Sequence, residues 1–108
     1  MTTQHRIPQT ERTGERQTRQ MRAEVLLETA AFERVSRKPE VWLIETPYGS
    51  VHECELDRGR CDKGCKDFQI HGHLEGFECK HIISCRMHSE RMKKTVRVLA
   101  GFFGGEAA

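Results

Sequence analysis

The sequence predicts a small α+β domain with an N-terminal helix, an antiparallel β-hairpin of two or three strands, a Cys/His-rich loop and a C-terminal helix. Apolar residues recur at helical spacing near both ends of the chain, and two short β-rich segments flank a Pro-Gly turn between them. Of the 108 residues, 36% are hydrophobic and 31% are charged, so the chain has room for one domain with a thin core. Such a domain usually needs a covalent or metal crosslink besides its core.

The N-terminal helix is predicted to begin near Glu15, after a flexible basic arm at residues 1–14. Thr, Gln and Arg dominate that arm, and it has no periodicity. The apolar positions of the helix are Met21, Val25, Leu26, Leu27 and Ala30. Residues 31–36 fit either the end of this helix or the start of a strand, and Pro39 prevents a helix from continuing there.

The hairpin is predicted from residues 41–46 and 51–56. The first segment, VWLIET, is rich in β-branched and aromatic residues, and the second, VHECEL, alternates in polarity. Between them, residues 47–50 read PYGS, which is typical of a turn. The glycine-containing run that follows is expected to be mostly loop.

The C-terminal helix is predicted to run from near Glu78 to about Val98, and Gly101 is expected to end it. One side of this helix carries Ile82, Cys85, Ser89, Met92, Val96 and Leu99, with Ile83 and Met87 beside them. Residues 15–100 would then form the domain, and residues 101–108 a flexible tail.

The central run contains the ligand pattern Cys61-x3-Cys65-x13-Cys79-x-His81. Zinc prefers thiolate and imidazole ligands in a tetrahedron, and Gly64 is expected to let the first two thiolates face one point. No apolar run approaches the roughly 18 residues of a membrane span, and the polar start lacks the apolar core of a signal peptide. We therefore expect a cytoplasmic protein, in which clustered cysteines bind metal more often than they form disulfides.

Three thiolates and one imidazole would fill the zinc shell, which predicts a structural site and no enzyme activity. Cys85 lies four residues beyond His81 and could replace one ligand, although packing under the helix is the simpler interpretation. Cys54 is expected to be a core residue or a free thiol. The sequence positions of His71, His73 and His88 fit exposed loop or surface residues, and a hydrolytic site would require one of the first two to join the metal.

These residues resemble the SWIM zinc-finger family, in a form similar to its small stand-alone prokaryotic or viral-like members. Cys79-Lys80-His81-Ile82-Ile83 is similar to the family's C-K-H-I signature, and Cys65-Lys66-Asp67-Phe68 to its second cysteine with the usual Asp-Phe companion. The resemblance covers residues 21–88, including the helix and hairpin before the motif. The chain departs from the family where Lys63 occupies the position of the first ligand, so Cys61 takes that role, with two residues more between the pair than in the family pattern.

The resemblance implies a zinc-binding module, with Zn²⁺ as cofactor, that binds DNA or another protein. SWIM domains occur in chromatin-remodelling ATPases, transposases, ubiquitin ligases and partners of recombinase paralogues, and the fold does not choose between these roles. No membrane partner and no small-molecule substrate are expected.

The charge distribution favours nucleic acid by a small margin. Residues 1–22 carry a net charge of +3, residues 23–78 of −5 and residues 79–98 of +5. The candidate nucleic-acid-binding residues on the last segment are Lys80, Arg86, Arg91, Lys93, Lys94 and Arg97. Phosphate contacts from such side chains give salt-sensitive affinity with little sequence specificity. The alternative is a protein adaptor within a DNA-processing complex, which would dock through the apolar residues 98–103.

Overall fold

The computed structural model describes residues 13–62 and 64–102. In chain order the elements are α1 (Thr13–Thr29), β1 (Ala31–Arg37), β2 (Glu40–Glu45), β3 (Val51–Glu55), β4 (Arg60–Cys61), α2 (Lys66–His71) and α3 (Lys80–Phe102). This confirms the α+β class with a helix at each end and the hairpin between. Most of the predicted basic arm lies outside the described residues, and Thr13 and Gly14 belong to α1.

The sheet is an antiparallel meander of four strands in the order β1-β2-β3-β4, where two or three were predicted. β2 and β3 are the predicted hairpin, with Trp42 opposite Cys54. The ambiguous segment after α1 is a strand and pairs along its length with β2. The fourth strand is only two residues long, and its Cys61 pairs with Cys54. That short pairing brings the first predicted metal ligand onto the sheet.

The core lies between one face of the sheet and the first half of α3. Alternation along β3 points His52 and Cys54 inward, while the residues between and beside them face solvent. Ile82 and Cys85 of α3 are fully buried against this face. The core cluster comprises Leu26, Trp42, Ile44, Cys54, Leu56, Cys61, Cys65, Phe77, Cys79, Ile82 and Cys85. Five of these eleven residues are cysteines, so sulfur replaces much of the hydrocarbon that a core usually contains.

The buried stripe of α1 differs from the predicted one. Met21 and Val25 are 66% and 57% exposed, although both were expected to face the core. The buried positions are Arg19, Ala23 and Leu26, which are spaced i, i+4, i+7. Arg19 was missed because it is charged, yet its guanidinium lies 4.5 Å from the centre of the Phe77 ring. Hydropathy does not reveal this contact or the ion pair of Arg19 with Asp67, so the buried face of α1 was predicted in the wrong direction.

α3 is longer than predicted, since it continues through Gly101 to Phe102. Its first half packs as expected, with Ile82, Cys85 and Ser89 buried. Every residue from 90 to 101 is exposed, so the predicted core positions Met92, Val96 and Leu99 do not face a core within the described part of the chain. Even so, none of the described helices combines the length and the hydropathy that a membrane span requires.

Candidate metal centre

Three elements of the fold supply the predicted ligands. Cys61 comes from β4, Cys65 precedes α2 as its N-cap, and Cys79 and His81 flank the first residue of α3. Cys65 is fixed by its cap role, because the backbone N–H of Phe68 donates to its sulfur at 3.4 Å. A Cβ at position 64 would meet no atom closer than 3.7 Å, so the space around Gly64 does not by itself demand a glycine.

The four ligand atoms converge on one point. The three sulfurs and one imidazole nitrogen all lie within 4.8 Å of one another, and all four residues are buried. His81 Nδ1 lies 3.8 Å from the sulfur of Cys79 and 3.9 Å from that of Cys61. Neighbouring ligand atoms of a tetrahedral zinc site lie roughly 3.5–3.8 Å apart, given bonds of about 2.3 Å to sulfur and 2.0–2.1 Å to nitrogen. Donor types, spacing and burial thus fit a four-coordinate metal such as zinc.

The thiols shift one another's pKa values in opposite directions. Hydrogen bonds from Cys61 and then Cys79 lower the pKa of Cys65, so this sulfur takes the negative charge. The pKa of Cys79 is raised, first by its hydrogen bond with Cys61 and then by those with Cys65 and by burial. Side-chain hydrogen bonding to Cys54 is the largest cause that raises the pKa of Cys61. A bound divalent cation would favour the ionised form of all three thiols.

A histidine and an aspartate that the sequence analysis did not single out, His52 and Asp62, lie beside the imidazole of His81 and orient it. The ring of His52 stacks on that of His81, with centroids 3.9 Å apart and planes at 24°. His52 Nδ1 in turn lies 3.0 Å from a carboxylate oxygen of Asp62, whose other oxygen accepts from the Glu53 backbone N–H. Such outer contacts orient ligands in metal sites. The available signal was the alternation of β3, which places His52 on the same face as Cys54.

Cys54 and Cys85 lie next to the four candidate ligands, but neither is one of them. The sulfur of Cys54 is 3.8 Å from that of Cys61, yet neither Cys54 nor Cys85 is in any described cluster of possible metal ligands. Both are fully buried in the core, as their simpler interpretation predicted. The hydrogen bond with Cys61 lowers the pKa of Cys54, but contact with Cys85 and burial outweigh it and raise that pKa. Cys54 therefore stays a neutral thiol.

Three further histidines lie within the described residues and were expected to be exposed: His71, His73 and His88. His73 is exposed, whereas His71 and His88 are half-buried. The ring of His88 stacks on Phe32 at 4.4 Å and meets Trp42 edge-on at 5.1 Å, and burial lowers its pKa. His71 Nδ1 lies 3.0 Å from the carboxylate of Asp67.

Four of the six predicted basic residues line one groove between α1 and α3, of about 880 Å³, which we call the α1–α3 groove. Its apolar floor consists of Leu27, Ile83 and Met87. Its rim, which we call the basic rim, carries five cations and two carboxylates: Arg16, Arg86, Arg91, Lys94 and Arg97 with Glu78 and Glu90. Lys93 instead lies on the other flank of α3, facing the sheet. Lys80 lies near the start of α1, beside Arg19 and Arg22. The structure thus divides the predicted basic face into three parts.

Acidic neighbours compensate half of these charges. Arg86 donates both to Glu78 and to the backbone oxygen of Leu56, which ties α3 to the turn after β3. The other two pairs are exposed and therefore weak: Arg91 with Glu28 at 3.1 Å, and Lys93 with Glu90 at 3.9 Å. Among the described residues, no acidic group lies within ion-pair distance of Lys80, Lys94 and Arg97.

Comparisons with family models, with curated proteins and with solved structures find no match to this chain. The resemblance to SWIM zinc fingers accordingly depends on the residues quoted for it, and it stays a prediction. The fold and the Cys/His group are observations on this chain alone.

Proposed function

We propose that the chain is a structural zinc module of the SWIM type, in which Cys61, Cys65, Cys79 and His81 hold one Zn²⁺. The observation that supports it is the convergence of four buried ligand atoms, three sulfurs and one nitrogen, within 4.8 Å of one another. This donor set fills a tetrahedral shell and leaves no position for a reactive water, which favours a structural role. When bound, the ion crosslinks β4, the start of α2 and the start of α3.

The composition of the core explains why such a crosslink would be needed. Three of the proposed ligands, Cys61, Cys65 and Cys79, are members of the core cluster itself. A metal-free core would therefore bring three thiols and an imidazole together where a larger domain packs hydrocarbon. Metal affinity is then coupled to folding, on the order of 10 kcal/mol for zinc-finger peptides.

We further propose that the module binds nucleic acid through the basic rim of the α1–α3 groove. Lys94 and Arg97 have no acidic partner within ion-pair distance among the described residues, and Arg91 shares only an exposed pair with Glu28. Arg16 lies across the groove on α1. Side chains of this kind contact phosphates, so we expect affinity with little sequence dependence.

The zinc proposal is tested by metal analysis of matched cysteine variants. Cys79→Ser removes a proposed ligand, whereas Cys54→Ser changes an equally buried cysteine outside the ligand group. We expect one zinc per chain in the wild type and in Cys54→Ser, and both zinc and NMR dispersion to be lost in Cys79→Ser. Native dispersion in Cys79→Ser, or equal zinc loss in both variants, would contradict the proposal.

The nucleic-acid proposal is tested by titrating a labelled DNA duplex at several KCl concentrations. With four phosphate contacts, affinity should fall roughly 150-fold between about 50 and 200 mM salt, and removal of two contacts should reduce the log–log slope by about 1.8. The variant is Lys94→Gln with Arg97→Gln. The control of equal charge, Arg58→Gln with Lys66→Gln, lies outside the groove. Equal slopes for the two double variants, or a wild type that does not bind, would refute a nucleic-acid role for the groove.

A protein adaptor is the second candidate, and one observation favours it. The second half of α3 exposes Met92, Val96, Val98 and Leu99, each between 48% and 63%. Exposed apolar side chains that share one helix face mark interaction sites. Three of the four continue the face that packs on the sheet rather than the face that lines the α1–α3 groove, and Arg97 lines the grooves on both sides of α3.

A further inference from the structure

The face of α3 that packs on the sheet continues beyond the part that the sheet covers. Ile82, Cys85 and Ser89 on this face are buried, and the next positions at helical spacing are Met92, Val96 and Leu99. These three are 48%, 61% and 48% exposed. The spacing i, i+4, i+7 is that of a stripe that packs against another helix. Half of an amphipathic face is thus left without a partner within the described chain.

This exposed stripe borders a formed groove rather than a flat surface. A cavity of about 520 Å³ lies between α3 and the sheet, lined by Phe32, Arg34, Trp42, Met92, Lys93 and Val96 among others. We call it the α3–sheet groove. Its aromatic end is rigid, because His88 stacks on Phe32 and meets the edge of Trp42. Rigid aromatic walls beside a methionine are typical of surfaces that bind helices.

The charges around this groove are positive. The Arg34 guanidinium lies 5.7 Å from the centre of the Trp42 ring, and Arg97 lies at the groove's other side. Neither has an acidic group within ion-pair distance among the described residues. The carboxylate of Glu40 lies beneath, where it accepts hydrogen bonds from Trp42 and Ser89 and interacts electrostatically with Lys93 and Arg34. Lys93 also forms an exposed pair with Glu90, so Arg34 and Arg97 are the cations without an acidic group within ion-pair distance among the described residues. An occupant therefore meets an apolar floor between basic edges.

We infer that the α3–sheet groove binds an amphipathic helix of a partner protein, whose apolar stripe is flanked by Asp or Glu side chains. The apolar stripe and the aromatic wall supply the contact area, and Arg34, Lys93 and Arg97 set the charge preference. A second copy of this chain is a poorer occupant, because antiparallel pairing of two α3 helices would bring Lys93 and Arg97 of each near the same charges of the other. Phosphate backbone is poorer too, since it would leave Met92 and Val96 facing charged oxygens.

The experiment uses the full-length, zinc-loaded chain and two synthetic helical peptides with the same leucine stripe. One peptide carries Glu beside the stripe and the other carries Lys at the same positions. Trp42 is the only tryptophan in the chain and lines the groove, so its emission reports occupancy directly. We expect the Glu peptide to bind with a Kd below about 100 µM and the Lys peptide at least about tenfold more weakly.

Matched variants assign the binding to this groove. Val96→Asp places a carboxylate on the stripe, and Val98→Asp places one at a similarly exposed position on the opposite side of α3. Because both valines are exposed, neither change should unfold the domain. We expect Val96→Asp to weaken the Glu peptide at least about tenfold and Val98→Asp to change its affinity less than about twofold.

Other outcomes would overturn the inference. Equal binding of both peptides, no binding up to about 1 mM, or equal effects of the two variants would each do so. A wild-type dimer in sedimentation that Val96→Asp dissociates would assign the stripe to self-association instead. Loss of DNA binding in Val96→Asp, with peptide binding unchanged, would assign it to nucleic acid. The groove's peptide affinity and the DNA salt slope are separate readouts, so the inference can fail without the nucleic-acid proposal failing.

Discussion

The thermal stability of the chain should rise with the free zinc concentration. This rise should require the four candidate ligands and should not require the cysteines outside that set. An ion that binds only the folded chain adds stability in proportion to the logarithm of its free concentration. All four proposed ligands are buried and come from positions 61, 65, 79 and 81, which converge only when β4, α2 and α3 are in place. The unfolded chain therefore lacks the four-ligand site, and zinc bound by its separate cysteines and histidines would only reduce the slope.

The expected slope follows from this linkage. Above saturation, each tenfold increase in free zinc adds about 1.4 kcal/mol to the free energy of unfolding. For a domain of this size, that corresponds to a rise in Tm of roughly 6–11 °C per tenfold step. The slope carries no adjustable parameter, so it tests the coupling itself rather than the strength of the site.

The assay is circular dichroism melting in chelator-buffered zinc, with two matched cysteine variants. Cys61→Ser should lower zinc affinity by more than the 10–100-fold typical of outer-shell changes, and its Tm should stop responding in the same zinc range. Cys54→Ser should keep the wild-type slope, offset downward by about 1–3 kcal/mol for burying a hydroxyl. A wild-type Tm that does not change with free zinc, or a slope lost equally in both variants, would refute the coupling of this site to folding.

Two further predictions concern the scaffold. Hydrogen bonds from Ser89 and then Trp42 lower the pKa of Glu40, so the ionised carboxylate stabilises the fold above its ordinary pKa and loses this effect as pH falls through the lowered value. In chemical denaturation, the free energy of unfolding of the wild type should exceed that of Glu40→Gln by about 1 kcal/mol at neutral pH, and this difference should shrink below about pH 4.5. A difference that does not change with pH would contradict the assigned cause. At Gly72, an added Cβ would lie 2.5 Å from the Phe68 carbonyl oxygen. Gly72→Ala should therefore lower the free energy of unfolding by roughly 1–3 kcal/mol in the same assay. An unchanged denaturation midpoint would contradict this, because it would mean that the backbone after α2 shifts without cost.

Local patterns predicted the elements well, because each signal was carried by residues close in sequence. The hairpin of β2 and β3 follows from alternation and a turn, and the Cys/His spacing alone identified a set of residues that the fold brings together. The sequence could not decide whether Ala31–Arg37 is helix or strand, because these residues show no clear alternation of apolar and polar side chains. The segment is a strand because it pairs with β2.

Features that depend on contacts between distant segments were missed. Arg19 is buried against groups far along the chain, where it lies over the ring of Phe77 and pairs with Asp67. His52 and Asp62 come into contact through the short pairing of β3 with β4, which has two residues and no hydrophobic signature. The helix that Gly101 was expected to end continues past it, because a single glycine in a helix costs only about 1 kcal/mol.

The most direct test of the proposed site is zinc K-edge X-ray absorption on the chain purified without added metal. The proposed site predicts one zinc per chain with three sulfur neighbours near about 2.3 Å and one nitrogen near about 2.0–2.1 Å. Four sulfur neighbours would mean that Cys54 or Cys85 binds the zinc in place of His81. An additional oxygen or nitrogen neighbour would mean that the zinc has a coordination position open to water. A folded chain without zinc would contradict the structural role outright.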